Sequence, residues 1–228
     1  MSTDRAPHES QARRRRLAPD DGLLVVGLVG RAGSGKSTVA RTLAERGAVV
    51  LDADRLGHEI TDGDPEVRTA LKAEHGDDIY LPDGRLDRRR VGDKVFADAG
   101  ALARLNALVH PRILARLRER IAALQRERHR GPVIVDAALM LDWGFERECD
   151  AVLAVVAPEP VQVARLVAAR GWSEDVARRR LDSQHPNEWF ERAADVTLTN
   201  DGSQEALARQ TLAALDRLAS RRGVGPAP

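Results

Sequence analysis

The sequence predicts an α/β fold, a parallel sheet of about five strands with helices on both faces. Three observations carry that expectation. Short, continuous apolar runs recur along the chain, stretches of helical periodicity separate them, and a glycine-rich turn joins the first run to the first helix. Runs without polar alternation suit strands buried on both faces, the setting of a parallel sheet.

The first run, Leu23 to Val29, is rich in β-branched residues. A helix is expected from about Lys36 to Arg46, with Gly47 where a C-terminal glycine belongs. Ala48 to Leu51 reads as a second strand ending at Asp52. Val133 to Asp136, Ala151 to Val156 and the shorter Val196 to Leu198 complete the sheet. Helical patterns fill the gaps at Glu66 to Glu74, Arg89 to Ala97, Ala101 to Leu108 and Pro111 to Arg128. Pro111 is expected in the first turn of the last of these. Val161 to Ala169, Ser173 to Leu181 and Gln204 to Ala219 follow. Residues 1–20, with Arg13 to Arg16 in a row, have no apolar period and read as a disordered basic leader; residues 221–228 read as a flexible tail. The domain between them spans 21–220. In such sheets ligands bind at the carboxyl ends of the strands.

Bulk properties narrow the class. Apolar residues make up 43% and charged residues 31% of the 228, which fits a globular protein with a core, and aromatics at 3% leave that core to Leu, Val, Ile and Ala. A net charge of +1 argues against a large nucleic-acid surface. No apolar run reaches the ~20 residues of a bilayer span, so neither nucleic acid nor membrane is expected as a partner. A lone cysteine, Cys149, excludes an internal disulfide and points to the cytoplasm. Monomer and homo-oligomer both stay open.

The strongest local signal is Gly30-Arg31-Ala32-Gly33-Ser34-Gly35-Lys36-Ser37, the full G-x-x-x-x-G-K-[ST] pattern between a strand and a helix. Glycines allow positive φ, so main-chain N–H groups can turn inward around phosphate oxygens, and the helix adds its positive end. Lys36 is expected on the β- and γ-phosphates of ATP and the Ser37 hydroxyl on Mg²⁺; Thr38 is grouped with the loop as nucleotide-binding. This makes the fold a P-loop NTPase type. No Asn-Lys-x-Asp and no Leu-Ser-Gly-Gly-Gln sequence is present, which removes GTPases and ABC-type ATPases. A short chain with late arginines suggests a small-molecule kinase with an arginine-bearing lid.

Asp52-Ala53-Asp54 follows the second strand. One of these carboxylates could orient an acceptor hydroxyl for in-line attack. Equally, both could simply begin the next helix, where Asp is a favoured cap. Arg88, beside Arg89 and Arg90, is a candidate anchor for a substrate phosphate. His110 either hydrogen-bonds substrate or caps the Pro111 helix. Arg165 and Arg170, five residues apart, are offset by about 140° on a helix and cannot do the same job; Arg170 is the candidate that reaches the transferring phosphoryl group or stacks on ATP.

Taken in order, GLVGRAGSGKS, VVLDADRLGHE, HGDDIYLPDGRLDRRRVGDKVFAD, LNALVHPRI and VIVDAALMLDWGFERECDAVLAVVA resemble successive blocks of the dephospho-CoA kinase family. The likeness runs over roughly residues 23 to 218. Gly84, Leu86, Arg88 and Phe96 match one block, His110 and Pro111 another. Arg165, Arg170, Arg180 and Gln184 fall at lid positions, and Ala194, Asp195, Asn200 and Gly202 resemble the closing element. The resemblance implies ATP-dependent phosphorylation of the ribose 3′-hydroxyl of dephospho-CoA, with Asp54 as catalytic base. It also implies a helical substrate-binding insertion over 56–115, a lid over 165–192, and Asn200 and Gly202 beneath adenine. Several residues depart from the family pattern. Val29 replaces Thr, Arg31 replaces Gly and adds a cation at the cleft rim, and Ala138 to Asp142 replace Pro-Leu-Leu-Phe-Glu. Gly171 stands for an acidic residue and Phe190 for a lysine. Another small-molecule or nucleotide kinase, or an impaired nucleotide-binding regulator, are the alternatives.

Overall fold

The structure, a computed structural model, describes residues 23–222. The basic leader with Arg13 to Arg16 and the residues after 222 lie outside the described residues. Two compact units divide the described residues, 23–51 with 124–222 and 52–123.

The first unit holds the sheet. β1 (Leu23–Val29) lies at its centre, flanked by β3 (Gly131–Asp136) and β4 (Ala151–Val156), with β2 (Val49–Asp52) beyond β3 and β5 (Val196–Thr199) beyond β4. The order is therefore β2-β3-β1-β4-β5, with β1 parallel to both neighbours and β4 parallel to β5. Every residue of β1 is buried, which explains its unbroken apolar run. On one face Leu24, Val26 and Leu28 pack with Val39 and Leu43 of α1 (Lys36–Glu45) and with Leu207, Ala214 and Leu218 of α9 (Gln204–Arg222). On the other, Gly27 leaves room for Met140 Sδ, which a β-carbon there would strike, with Cys149 Sγ close by. Further helices are α6 (Glu159–Arg170), α7 (Glu174–Asp182) and α8 (Asn187–Ala193), the last of which packs on β4 and carries the buried Phe190.

The second unit is helical: α2 (Ala53–Gly63), α3 (Pro65–His75), α4 (Arg88–Ala97) and most of α5 (Ala99–Arg126). Caps begin its helices as the sequence dictates. Asp52 accepts from Arg55 N, Asp64 from Glu66 N and Val67 N, and Asp87 from Arg90 N.

One expectation is corrected here. The helices placed at Ala101 to Leu108 and Pro111 to Arg128 are one, with Pro111 inside it. Pro111 removes the ladder donor that would serve the Ala107 carbonyl, and the helix nonetheless continues through it. His110 therefore caps nothing. Asp52-Ala53-Asp54 does begin a helix: α2 starts at Ala53, with Asp52 as its cap and Asp54 in its first turn. Among the described residues no helix is long and apolar enough to cross a membrane.

Candidate functional site

The phosphate loop runs from Gly30 into α1. Three of its glycines hold positive φ, +144° at Gly30, +72° at Gly33 and +105° at Gly35. Neighbours enforce glycine at each. A β-carbon would overlap the Val155 carbonyl oxygen at Gly30 and Asn200 Nδ2 at Gly35, and would stand 2.8 Å from the Gln162 carbonyl oxygen at Gly33. Loop carbonyls are held from behind. Asn200 Nδ2 donates to Ser34 O at 2.7 Å, and Arg165 donates through Nη1 to Gly33 O and Ser34 O and through Nη2 to Asn200 Oδ1 at 3.0 Å.

With its carbonyls turned to that brace, the loop keeps donors free. Thr38 N and Val39 N already bond Gly35 O, whereas the N–H groups of Gly33, Gly35, Lys36 and Ser37 meet no described acceptor. Ser34 Oγ is buried without a partner among the described residues. Lys36 Nζ lies on Gly30 O at 3.0 Å, folded across the turn, and Ser37 is exposed in the first turn of α1. Such a convergence of amide donors, an ammonium and a helix N-terminus is a site for a polyphosphate. The single Ser37 hydroxyl is the type of ligand Mg²⁺ takes when phosphates and water complete its shell.

Two loop residues face elsewhere. Ala32 N–H is donated to Gln184 Oε1 at 2.9 Å, so in this structure it is not offered to the cradle. Arg31 is not the rim cation its departure from the family pattern suggests; it is 7% exposed and its Nη2 donates to the Leu181 carbonyl.

Other expected residues fall as follows. Asn200 is buried and spends its side chain on Ser34 and Arg165, a bracing job behind the loop. Gly202 is exposed, with nothing nearer than Ala206 Cβ at 3.9 Å to a β-carbon placed there. Arg170 ends α6, exposed and without a described partner, while Gly171 closes that helix in the left-handed conformation at φ 65°. That explains glycine where an acid is expected. Asp142 pairs with His185 at 3.1 Å, and His185 stacks on Trp189. Asp195 Oδ2 accepts from Val152 N at 2.7 Å and ties β5 to β4.

In the helical unit Asp52 is committed to its cap, whereas Asp54 is exposed in the first turn of α2 with no described partner. Arg88 is held by Asp62 Oδ1 at 3.0 Å and Thr61 Oγ1 at 3.3 Å. His110 lies half-buried within α5. Sequence reasoning missed the jobs of Arg165 and Gln184 at the loop. Their partners lie 132 and 152 residues away, and only the offset of Arg165 from Arg170 hinted at a separate role.

Comparison with known proteins agrees with this geometry. A family model described as dephospho-CoA kinase matches residues 24–206. A protein named dephospho-CoA kinase from Thermobifida fusca is 41% identical over 186 residues, covering 81% of this chain and 91% of its own. One of the same name from Corynebacterium glutamicum is 41% identical, covering 81% and 94%. Among solved structures, a Thermus thermophilus protein superposes with a TM-score of 0.71 at 34% identity, covering 86% of this chain and 97% of that one. A dephospho-CoA kinase from Campylobacter jejuni, at 21% identity and a TM-score of 0.62, shares the fold over 86% and 97%.

Proposed function

The chain belongs to the dephospho-CoA kinase family, and from that premise we propose how its residues carry out the family's reaction. The enzyme transfers the γ-phosphoryl group of ATP to the ribose 3′-hydroxyl of dephospho-coenzyme A, giving coenzyme A and ADP in the last step of coenzyme A biosynthesis. One observation carries the residue assignments: the phosphate loop keeps four main-chain donors free at the start of α1, on a turn whose glycines cannot bear side chains.

Those amides hold the oxygens of the triphosphate, and Lys36 exchanges the Gly30 carbonyl for the β- and γ-phosphates. Ser37 contributes its hydroxyl to Mg²⁺, which when bound neutralises charge on the β- and γ-phosphate oxygens. Asp54 accepts the hydrogen bond of the 3′-hydroxyl and aims that oxygen at the γ-phosphorus. Because phosphoryl transfer is loose, holding the hydroxyl in line contributes more than removing its proton early. Arg170 meets the charge on the transferring group, and Arg88, already steadied by Asp62, uses its remaining N–H groups on a substrate phosphate. His110 is assigned to the same acceptor unit, residues 56–115, and residues 165–192 to the lid. The reaction is placed in the cytoplasm, where a lone thiol such as Cys149 stays reduced.

An ADP-release assay with a panel of acceptors tests the reading. Turnover of dephospho-CoA well above that of nucleoside monophosphates is expected. Equal or faster turnover of a monophosphate rejects the acceptor, and loss of activity on removing Mg²⁺ checks the metal.

A further inference from the structure

Arg31 belongs to the phosphate loop, yet its side chain leaves the loop for the lid. Its guanidinium, 7% exposed, donates from Nη2 to the Leu181 carbonyl at 2.7 Å, and Nη1 stands 3.5 Å from Glu159 Oε2. Its neighbour points the same way. Ala32 gives its N–H to Gln184 Oε1 and packs its methyl against the cluster of Val163, Leu166, Ala177 and Leu181. Leu181 and Gln184 mark the C-terminal end of α7. Glu159 also lies 3.9 Å from Arg178, which reaches Glu174 in the first turn of α7 at 3.3 Å.

We infer that Arg31 is a positioning residue that fastens α7 to the phosphate loop, so that this part of the lid is docked before nucleotide arrives. A buried guanidinium holds its place only with partners, and among the described residues those partners belong to α6 and α7 and none to the loop. Its planar fork reaches a carbonyl and a carboxylate at once, which the single ammonium of a lysine cannot reproduce. A lid ordered in advance is not ordered at the expense of the reaction, so the fastening raises turnover more than it raises ATP affinity. The consequence for turnover rests on the function proposed above; the docking itself is a property of the free protein.

Hydrogen exchange of residues 173–184 without nucleotide, measured with kinetics in Arg31→Met and Arg31→Lys, tests this. The Leu181 carbonyl keeps the Gln184 N–H at 2.9 Å, so Arg31→Met strands no buried acceptor. Exchange in that segment is expected to rise about tenfold or more in Arg31→Met, with β1 and α1 unchanged. kcat is expected to fall about tenfold and the ATP KM to move less than threefold, with Arg31→Lys recovering neither readout. Gln184→Leu loosens the same joint from the lid side and decides the matter if Arg31→Met does not fold. Unchanged exchange in the folded variants overturns the inference. So does a tenfold rise in ATP KM with exchange and kcat intact, since the Arg31 charge would then act on the triphosphate. Full recovery by Arg31→Lys also overturns it. Faster exchange in a protein that fails to phosphorylate dephospho-CoA leaves the docking standing and rejects the acceptor.

Discussion

Replacing Gly35 by alanine strikes the phosphate loop where space is shortest. Gly35 sits at φ +105° and ψ 17°, and a β-carbon there overlaps Asn200 Nδ2. Asn200 cannot yield freely, being 6% exposed with Nδ2 on Ser34 O at 2.7 Å and Oδ1 on Arg165 Nη2 at 3.0 Å. Positive φ alone costs an alanine about 1–2 kcal/mol. Displacing Asn200 breaks two hydrogen bonds in a buried setting, about 1–3 kcal/mol each and partly coupled. The sum is roughly 3–6 kcal/mol, or a melting temperature lower by about 10–20 °C for a domain of this size. Gly47→Ala is the control, because its φ of +83° is also positive while a β-carbon there meets nothing within 4 Å; it should cost only the positive φ, about 1–2 kcal/mol. Urea unfolding with calorimetric ATP titration measures both variants. Gly35→Ala is expected to lose ATP affinity at least about tenfold, and Gly47→Ala none. Wild-type ATP affinity in Gly35→Ala, or equal losses in the two, refutes the steric account of the loop.

Other substitutions probe single jobs. Lys36→Ala removes a charged donor worth about 1.5–3 kcal/mol, so ATP affinity should fall about 10- to 100-fold with turnover falling too; unaltered turnover contradicts the cradle. Phe190→Lys installs the residue expected from the family pattern where the structure has a side chain 3% exposed and packed edge-on to Trp189. Stability should drop by about 3–5 kcal/mol in urea melts, and a neutral result denies that Phe190 is core. Tyr80 is the chain's one tyrosine, and burial holds its phenol above the ordinary value despite the Arg68 guanidinium 3.9 Å from the ring centroid. Because the raised pKa belongs to the folded state, this contribution is level below about pH 10 and is lost as pH climbs through the raised value. A tyrosinate absorbance titration with its midpoint at or below the ordinary value contradicts that burial.

Elements whose fate depends on their own residues were readable before the structure. The Leu23 to Val29 run could be little but a buried strand, and the loop motif with its flanks specified both backbone and ligand class. What escaped the sequence is governed by distant parts of the chain. α2 has few apolar residues and is secured by the Asp52 cap and by Leu56 and Ile60, a weaker signal than the strand before it. Pro111 reads as a helix start by local rules, yet the helix runs from Ala99 through it to Arg126. α8 is short and opens without a side-chain cap. The arginines were the hardest to sort. Arg31, Arg165 and Arg170 are alike in sequence, and only the fold sends the first to α7, the second behind the loop and the third to the surface. Asn200 shows the same limit, since a turn-forming residue type disclosed nothing of its hydrogen bond to Ser34 across 166 positions.

Measuring ATP dissociation and kcat together in Asp54→Asn bears most directly on the division of labour between loop and carboxylate. With dephospho-CoA as acceptor, kcat should fall by about 10²- to 10⁴-fold while the ATP dissociation constant stays within about threefold of wild type. An unchanged kcat, or a loss explained by weaker ATP binding, would contradict Asp54 as the group that aims the hydroxyl.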